Sequence, residues 1–214
     1  MPSIAVVSAG AMGSAVAKRL VSAGCTVYTN LDGRSDAAHQ RARDAGMIPV
    51  PLPTLVASAH WILSIVPPSE AHAFAEKIRD LVDACAPGPR VFVDCNAVNP
   101  DAARRIGALF AGSAVRFVDA GIVGGPPRPG YDPTFYACSD EEGVLEEFAA
   151  FAQYGLRVSL LQGPGAGVGD ASALKLCESV SHGGSSTRGA HGTTPVDADD
   201  EEGRYRALHD DDTE

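Results

Sequence analysis

The sequence lacks the features that would connect it with a membrane, a metal or an oxidising compartment. Its five cysteines are scattered, odd in number and free of Cys-x-x-Cys spacing, which indicates reduced thiols in a cytoplasmic protein and no metal site. No run of eighteen apolar residues exists to form a transmembrane helix. No basic segment precedes an apolar core at the N-terminus, so no secretory signal is expected. The sequence also lacks a basic stripe, which argues against a nucleic-acid partner.

The net charge of −10 is unevenly distributed along the chain. Residues 180–214 contain nine acids, three arginines and only seven apolar residues. Such a segment buries too little surface to offset its chain entropy, and we expect it to be a disordered, low-complexity acidic tail. The sequence before it predicts a dinucleotide-binding domain over residues 1–165 and the start of an interdomain helix over 166–179.

Short apolar runs alternate with segments of helical periodicity through most of the chain. This alternation predicts an α/β fold of the Rossmann type, with a doubly wound and mainly parallel sheet. Ligands of such sheets bind at the carboxyl ends of the strands, where the strand order reverses. The predicted strands are 4–7, 26–29, 61–66, 90–94, 115–119, 134–138 and 157–161, and the predicted helices are 12–23, 36–45, 69–84, 100–110 and 141–154.

A glycine-rich turn follows the first predicted strand and opens the first predicted helix. Its residues are Ser8, Gly10, Ala11, Met12 and Gly13, in the context that a GxGxxG dinucleotide loop requires, with serine in place of the first glycine. Gly10 would let the backbone approach a pyrophosphate, and Gly13 would allow the helix to pack closely on the strand. A tight turn in a ligand-free α/β domain is the alternative.

The loop after the second predicted strand bears on the choice between NADP and NAD. Asn30, Arg34 and Ser35 can each donate hydrogen bonds to a 2′-phosphate, which favours NADP. Asp32 could instead bind the ribose 2′-OH of NAD. Arg34 in this loop makes NADP the preferred prediction, and a solvated loop charge is its alternative role.

Five ordered segments together resemble the β-hydroxyacid dehydrogenase superfamily, which includes 6-phosphogluconate dehydrogenase and 3-hydroxyisobutyrate dehydrogenase. The resemblance extends from residue 4 to about residue 179. Its first three segments are Gly-Ala-Met-Gly at 10–13, Leu-Ser-Ile-Val-Pro-Pro at 63–68 and Val-Asp-Cys-Asn-Ala-Val-Asn-Pro at 93–100. The last two are Phe-Val-Asp-Ala-Gly-Ile-Val-Gly-Gly at 117–125 and the glycine-rich run that ends in Asp-Ala-Ser-Ala-Leu-Lys at 165–175.

The resemblance implies a role for residues in each later segment. It implies that Lys175 is the general acid or base, which is chemically reasonable because oxidation of an alcohol requires a proton acceptor. It also implies that Val66, Pro67 and Asn96 lie at the cofactor, and that Val123, Gly124 and Gly125 contact the substrate. The plainer alternatives are a surface lysine, an asparagine cap for the helix near Pro100 and an ordinary Gly-Gly turn.

The sequence also departs from the family pattern. Val123 replaces the motif serine, and Ser179 stands where an asparagine usually follows the lysine. The helical domain that closes the site and forms the family dimer is not recognisable after Val180, so we expect a truncated family member that lacks this interface.

Two functions follow from these patterns. The first is an NADP-dependent oxidoreductase that acts on a small hydroxy acid or an imine-type relative. The second is a non-catalytic NADP-binding module left by truncation. A Rossmann domain for another ligand, such as a flavin or a methyl donor, is a third possibility.

Overall fold

The computed structural model describes residues 2–85 and 88–182, in which strands and helices alternate. The strands are β1 Ser3–Val7, β2 Thr26–Thr29, β3 Ile48–Pro49, β4 Trp61–Ser64, β5 Arg90–Asp94, β6 Val115–Val123, β7 Thr134–Cys138 and β8 Arg157–Leu160. The α-helices are α1 Ala11–Ser22, α2 Asp36–Asp44, α3 Leu52–Ser58, α4 Ala71–Cys85, α5 Pro100–Ala108, α6 Val144–Ala149 and α7 Asp170–His182. Two short 3-10 helices span Pro68–Glu70 and Ala150–Tyr154 in the described residues.

All eight strands join one sheet in the order β3-β2-β1-β4-β5-β6-β7-β8. Every pair is parallel except β6 and β7. The order reverses at β1, which lies between β2 and β4, and the arrangement of the first six strands is that of a dinucleotide-binding Rossmann sheet. This topology confirms the predicted α/β fold with a mainly parallel sheet.

Apolar side chains cover both faces of the sheet, as a parallel sheet with helices on both sides requires. In β1, Ile4 and Val6 pack into one core while Ala5 and Val7 pack into the other. Trp61 stacks on Phe148 in the first core, with ring centroids 5.8 Å apart. Phe92 anchors the second core. The two cores hold the strands in fixed positions, as a ligand site at the carboxyl ends of the strands requires.

Several element boundaries differ from the sequence predictions. Strand β3 and helix α3 were not predicted, because Pro49, Pro51 and Pro53 interrupt this short stretch and hide its periodicity. Strand β4 ends at Ser64, two residues before the predicted end. Strand β6 instead continues to Val123, beyond the predicted end at Asp119, and so ends on the first of the three residues expected to contact substrate.

Helix α7 begins at Asp170, within the segment predicted to start an interdomain helix. The expected disordered tail falls on residues beyond the helix, and residues 183–214 lie outside the described part of the chain. In the described ranges, no helix has the length and apolar character needed to span a membrane.

Candidate functional site

The turn between β1 and α1 is shaped by direct contact between the two elements. A Cβ atom on Gly13 would overlap the backbone carbonyl oxygen of Ser8, so only glycine fits there. A Cβ on Gly10 would lie 3.6 Å from Ser8 Oγ, an ordinary contact. The Ser8 hydroxyl accepts a hydrogen bond from the Gly10 N–H at 3.3 Å, and its side chain is thereby turned into the loop. The replacement of the first motif glycine by serine therefore leaves the turn intact.

Helix α1 presents its N-terminus without a side-chain cap from any described residue. Gly10 occupies the N-cap position, where Ser, Thr, Asp or Asn would normally bond to the first helical N–H groups. Uncapped N–H groups and the positive end of the helix dipole form a binding site for phosphate. The open N-terminus and the close approach at Gly13 both fit a dinucleotide pyrophosphate.

Arg41 supports this loop from helix α2 and was not predicted as a site residue. Its Nε donates a hydrogen bond of 2.8 Å to the carbonyl oxygen of Ala9, inside the glycine-rich turn. The guanidinium therefore fixes the loop and adds positive charge close to the expected pyrophosphate. Because this contact joins residues 32 positions apart, no local sequence signal indicated it.

The loop after β2 contains all three residues predicted to select the ribose. Asn30 Nδ2 donates to Asp32 Oδ2 at 2.9 Å and to the Val50 carbonyl oxygen at 3.1 Å, so its amide group orients the loop. Ser35 caps α2, with its hydroxyl oxygen accepting from the Ala38 N–H. The Arg34 guanidinium forms an ion pair with Glu70, with Nη2 and Oε2 3.5 Å apart.

Asn96 joins the carboxyl ends of β4 and β5 from a buried position. Its Oδ1 accepts from the Val66 N–H at 2.7 Å, and its Nδ2 donates to Ser64 Oγ at 2.9 Å and to Asp94 Oδ1. Val66 and Pro67 thus follow β4 on a backbone held by this amide. The predicted direct contact between Asn96 and the cofactor stays a prediction. The structure shows Asn96 as the support of the loop, and Asn99 as the cap of α5.

Asp94, at the end of β5, is a second buried polar group that sequence reasoning did not select. Its side chain is 1% exposed, and its Oδ2 has no hydrogen-bond partner among the described residues. Burial raises the pKa of this carboxyl to about 7, and the negative charge of Asp119 adds to the rise. Hydrogen bonds from Asn96 and the positive charge of Lys175 oppose it. Asp94 therefore changes protonation near neutral pH.

Asp119 connects β6 with the beginning of α7. It lies beside Asp94 in the sheet register and is equally buried. Its Oδ2 accepts from the N–H groups of Gly169 at 2.9 Å and Ser172 at 3.2 Å, while its Oδ1 accepts from Ser172 Oγ at 2.8 Å. These bonds satisfy a carboxylate that would otherwise be costly to bury. They also fix the start of the helix that bears Lys175.

Lys175 reaches the sheet because β6 has glycine where α7 crosses it. A Cβ on Gly121 would lie 2.8 Å from the Ala171 carbonyl oxygen and 3.2 Å from Lys175 Cβ. Lys175 is half-buried, and its positive charge lowers the pKa of Asp94 and of Cys95. Burial nevertheless keeps the pKa of the Cys95 thiol well above its ordinary value. The structure thus brings Lys175 to the carboxyl ends of β5 and β6, the side of a parallel sheet on which ligands bind.

The residues predicted to contact substrate lie at the end of β6, and a tyrosine that was not predicted covers them. The N–H of Gly125 donates to the Tyr131 hydroxyl at 3.2 Å. Gly124 has φ +110, and a Cβ there would collide with the same hydroxyl. The guanidinium of Arg128 lies 5.3 Å from the centre of the Tyr131 ring. Val123 ends the strand and leaves no hydroxyl at the position of the family serine.

The predicted site residues therefore lie at the carboxyl ends of five strands, β1, β2, β4, β5 and β6, and on helix α7. The pyrophosphate loop and the ribose loop lie at the switch point of the sheet, while Lys175 lies near the ends of β5 and β6. In the described residues, no group of three His, Cys, Asp or Glu side chains is arranged to hold a metal ion.

The sequence matches the family described as the NAD-binding domain of 6-phosphogluconate dehydrogenase over residues 3–161. A search of curated proteins finds no match.

Solved structures provide further similarities. A conserved protein of unknown function, described as structurally similar to 3-hydroxyacid dehydrogenases, is 29% identical, with a TM-score of 0.70 over 82% of this chain and 62% of its own. The Mycobacterium tuberculosis 3-hydroxyisobutyrate dehydrogenase with L-serine is 22% identical, with a TM-score of 0.69 over 85% and 60% of the two chains. A reductive aminase from Aspergillus terreus, in complex with NADPH and ethyl-5-oxohexanoate, is 18% identical, with a TM-score of 0.65 over 86% and 62%. The chain thus spans about three fifths of the length of these structures.

Proposed function

Because this chain belongs to the family of NAD-binding domains of 6-phosphogluconate dehydrogenase, we propose that it binds NADP as part of an oxidoreductase for a small hydroxy acid. The proposed reaction transfers a hydride between the nicotinamide and the carbon that carries the hydroxyl group. NADP is preferred to NAD because Arg34 lies in the loop that faces the ribose 2′-position. One neighbouring structure contains NADPH and another, a variant of an imine reductase, contains NAD⁺, so this fold can hold either dinucleotide.

The observation that carries the proposal is the packing of α7 across Gly121 in β6. This packing brings Lys175 to the carboxyl ends of the strands, the same side of the sheet on which the glycine-rich turn lies. Because Gly121 has no side chain, α7 packs closely on β6, and Lys175 is half-buried there. The bonds from Asp119 to Gly169 and Ser172 fix the same helix at its start. This arrangement supports a chemical role for Lys175 and not a solvated surface role.

Each part of the site would have a separate task in the reaction. Bound NADP would supply the hydride acceptor, and NADPH the hydride donor. Lys175 would take the hydroxyl proton during oxidation and return it during reduction. Gly10 to Gly13 would hold the pyrophosphate on backbone N–H groups, while Asn96 would keep the Val66 and Pro67 backbone in position for contact with the cofactor. Gly124 and Gly125 would receive the substrate carboxylate once Tyr131 moves from the Gly125 N–H.

A matched pair of lysine variants tests this assignment. We expect Lys175→Ala to keep its affinity for NADPH and to lose turnover about 100-fold or more, the usual contribution of a positioned acid or base. Exposed Lys77, on α4, provides the control, and Lys77→Ala should retain both properties. Calorimetric titration with NADPH and absorbance assays over a panel of hydroxy acids and imines measure the two quantities. Equal turnover in both variants would remove Lys175 from the mechanism.

A second candidate function is dinucleotide binding without catalysis. It is favoured by the geometry of the described residues, in which the N-terminus of α1 is open for a dinucleotide while the Tyr131 hydroxyl occupies the Gly125 N–H proposed for the substrate. A bound dinucleotide does not react unless the substrate is held in an attack geometry. Tight NADPH binding with no turnover on any substrate would support this function, whereas turnover that depends on Lys175 would exclude it. The proposal also includes a cytoplasmic location.

A further inference from the structure

The ion pair between Arg34 and Glu70 spans the switch point of the sheet. Arg34 lies in the loop after β2, and Glu70 lies in the 3-10 segment after β4, on the other side of β1. Their nearest charged atoms are 3.5 Å apart, and their side chains are 35% and 51% exposed. Because β2 and β4 are the two strands that flank β1, this pair lies across the opening in which the adenosine half of a dinucleotide binds.

The same opening contains a second carboxylate. Asp32 is held by the Asn30 amide at 2.9 Å and lies in the loop with Arg34. The loop after β2 and the segment opposite it thus contribute two carboxylates to this opening, one of which, Glu70, pairs with the Arg34 guanidinium. These carboxylates repel a negatively charged 2′-phosphate that enters the opening, whereas they do not repel an uncharged 2′-OH.

We propose that Glu70 sets the coenzyme preference of this domain by competing with the ribose 2′-phosphate for the Arg34 guanidinium. This inference rests on the proposed function, because it requires a nicotinamide dinucleotide at the switch point. Glu70 acts through Arg34 and is therefore a positioning residue. When Arg34 is bound to Glu70, NADP must break the ion pair before the guanidinium can reach the phosphate. NAD has no 2′-phosphate and binds with the pair intact.

The geometry makes the ion pair easy to exchange. A distance of 3.5 Å is longer than a charge-assisted hydrogen bond, and both side chains remain partly in water. Exposed pairs of this kind contribute little to stability, so their loss does not endanger the fold. A phosphate offers Arg34 two oxygens in the planar geometry that guanidinium groups prefer. Glu70 therefore weakens NADP binding without preventing it.

Calorimetric titration of the full chain with NADP and with NAD tests the inference in the wild-type protein and in four variants: Glu70→Gln, Glu76→Gln, Arg34→Ala and the double variant that combines Arg34→Ala with Glu70→Gln. We expect Glu70→Gln to lower the Kd for NADP by about two- to fivefold, the range of exposed charge pairs, and to leave the Kd for NAD unchanged. The control is Glu76→Gln on α4, which removes an equally exposed carboxylate that pairs with His72 instead of Arg34. It should change neither Kd. In an Arg34→Ala background, Glu70→Gln should lower the Kd for NADP by a smaller factor than it does in the wild-type background.

Three results would overturn the inference. The first is an unchanged ratio of the two Kd values in Glu70→Gln while both dinucleotides still bind, which leaves the proposed function standing. The second is an equal gain in the Arg34→Ala background, which would show that Glu70 does not act through Arg34. The third is absence of binding of either dinucleotide to the wild-type chain, which overturns the proposed function together with this inference.

Discussion

Replacing Asp94 by asparagine is expected to remove a pH dependence from the stability of the folded domain. The carboxyl is buried at the end of β5, and one of its oxygens has no hydrogen-bond partner among the described residues. Asparagine has nearly the same shape as protonated aspartic acid and keeps an oxygen for the Asn96 N–H. The variant therefore mimics the neutral form at every pH.

The size of the effect follows from the pKa of Asp94. Burial, with the charge of Asp119, raises this pKa from 3.8 to about 7 in the folded protein. The folded state therefore keeps its proton over a pH range in which the unfolded state has lost it. The free energy of unfolding falls as the pH rises through this range, by about 1.4 kcal/mol per pH unit. Between pH 5 and pH 8 the loss amounts to about 3 kcal/mol, after allowance for the ends of the titration.

Urea unfolding at pH 5, 6, 7 and 8 measures this dependence in the wild-type protein and in Asp94→Asn. The free energy of unfolding of the variant minus that of the wild type should rise by about 3 kcal/mol between pH 5 and pH 8. Glu142→Gln removes an exposed carboxylate and serves as the control, whose curve should run parallel to that of the wild type. Parallel curves for Asp94→Asn and the wild type would refute the reasoning, because Asp94 would then titrate as it does in the unfolded chain.

Three further substitutions test the contacts that shape the site. Gly13→Ala should lower the free energy of unfolding by about 2 kcal/mol or more, because the added Cβ overlaps the Ser8 carbonyl oxygen, whereas Gly10→Ala should change it little. Chemical denaturation measures both variants, and equal losses of stability would contradict the geometry. Asn96→Ala leaves the Val66 N–H without its partner and should cost about 2 to 4 kcal/mol in the same assay, together with weaker NADPH binding. Gly121→Ala pushes α7 away and should lower turnover more than NADPH affinity, an expectation that equal losses in both would exclude.

The parts of the fold that depend on local patterns could be predicted from the sequence. Strands β2, β5 and β7 have the predicted bounds, because each is a short β-branched or aromatic run between turn residues. Ser35 caps α2, and a cap of this kind can be recognised from sequence because it depends only on residues within one helical turn. The glycine-rich turn was recognisable because its spacing is tied to the strand before it and the helix after it.

The parts that depend on contacts distant in sequence could not be predicted. Strand β6 continues past its predicted end at Asp119, and this buried carboxylate is tolerated because Gly169 and Ser172, 50 and 53 residues further along the chain, supply its hydrogen bonds. The role of Asn96 as a tie between two strands required knowledge of which strands are neighbours. The pairing of Arg34 with Glu70 depends in the same way on the sheet order, which brings two loops together across β1.

The contact between Gly13 and the Ser8 carbonyl has a consequence for how such loops can diverge. A main-chain oxygen cannot move aside without displacing β1, so neither a larger residue at position 13 nor a change in the number of residues from 8 to 13 can be absorbed. The first position of the loop is under no such restriction, because the Ser8 side chain turns toward the Gly10 N–H and away from this contact. Distant relatives are therefore expected to drift freely at the first position while keeping the loop length and the last glycine, and a search pattern that demands the first glycine would miss them.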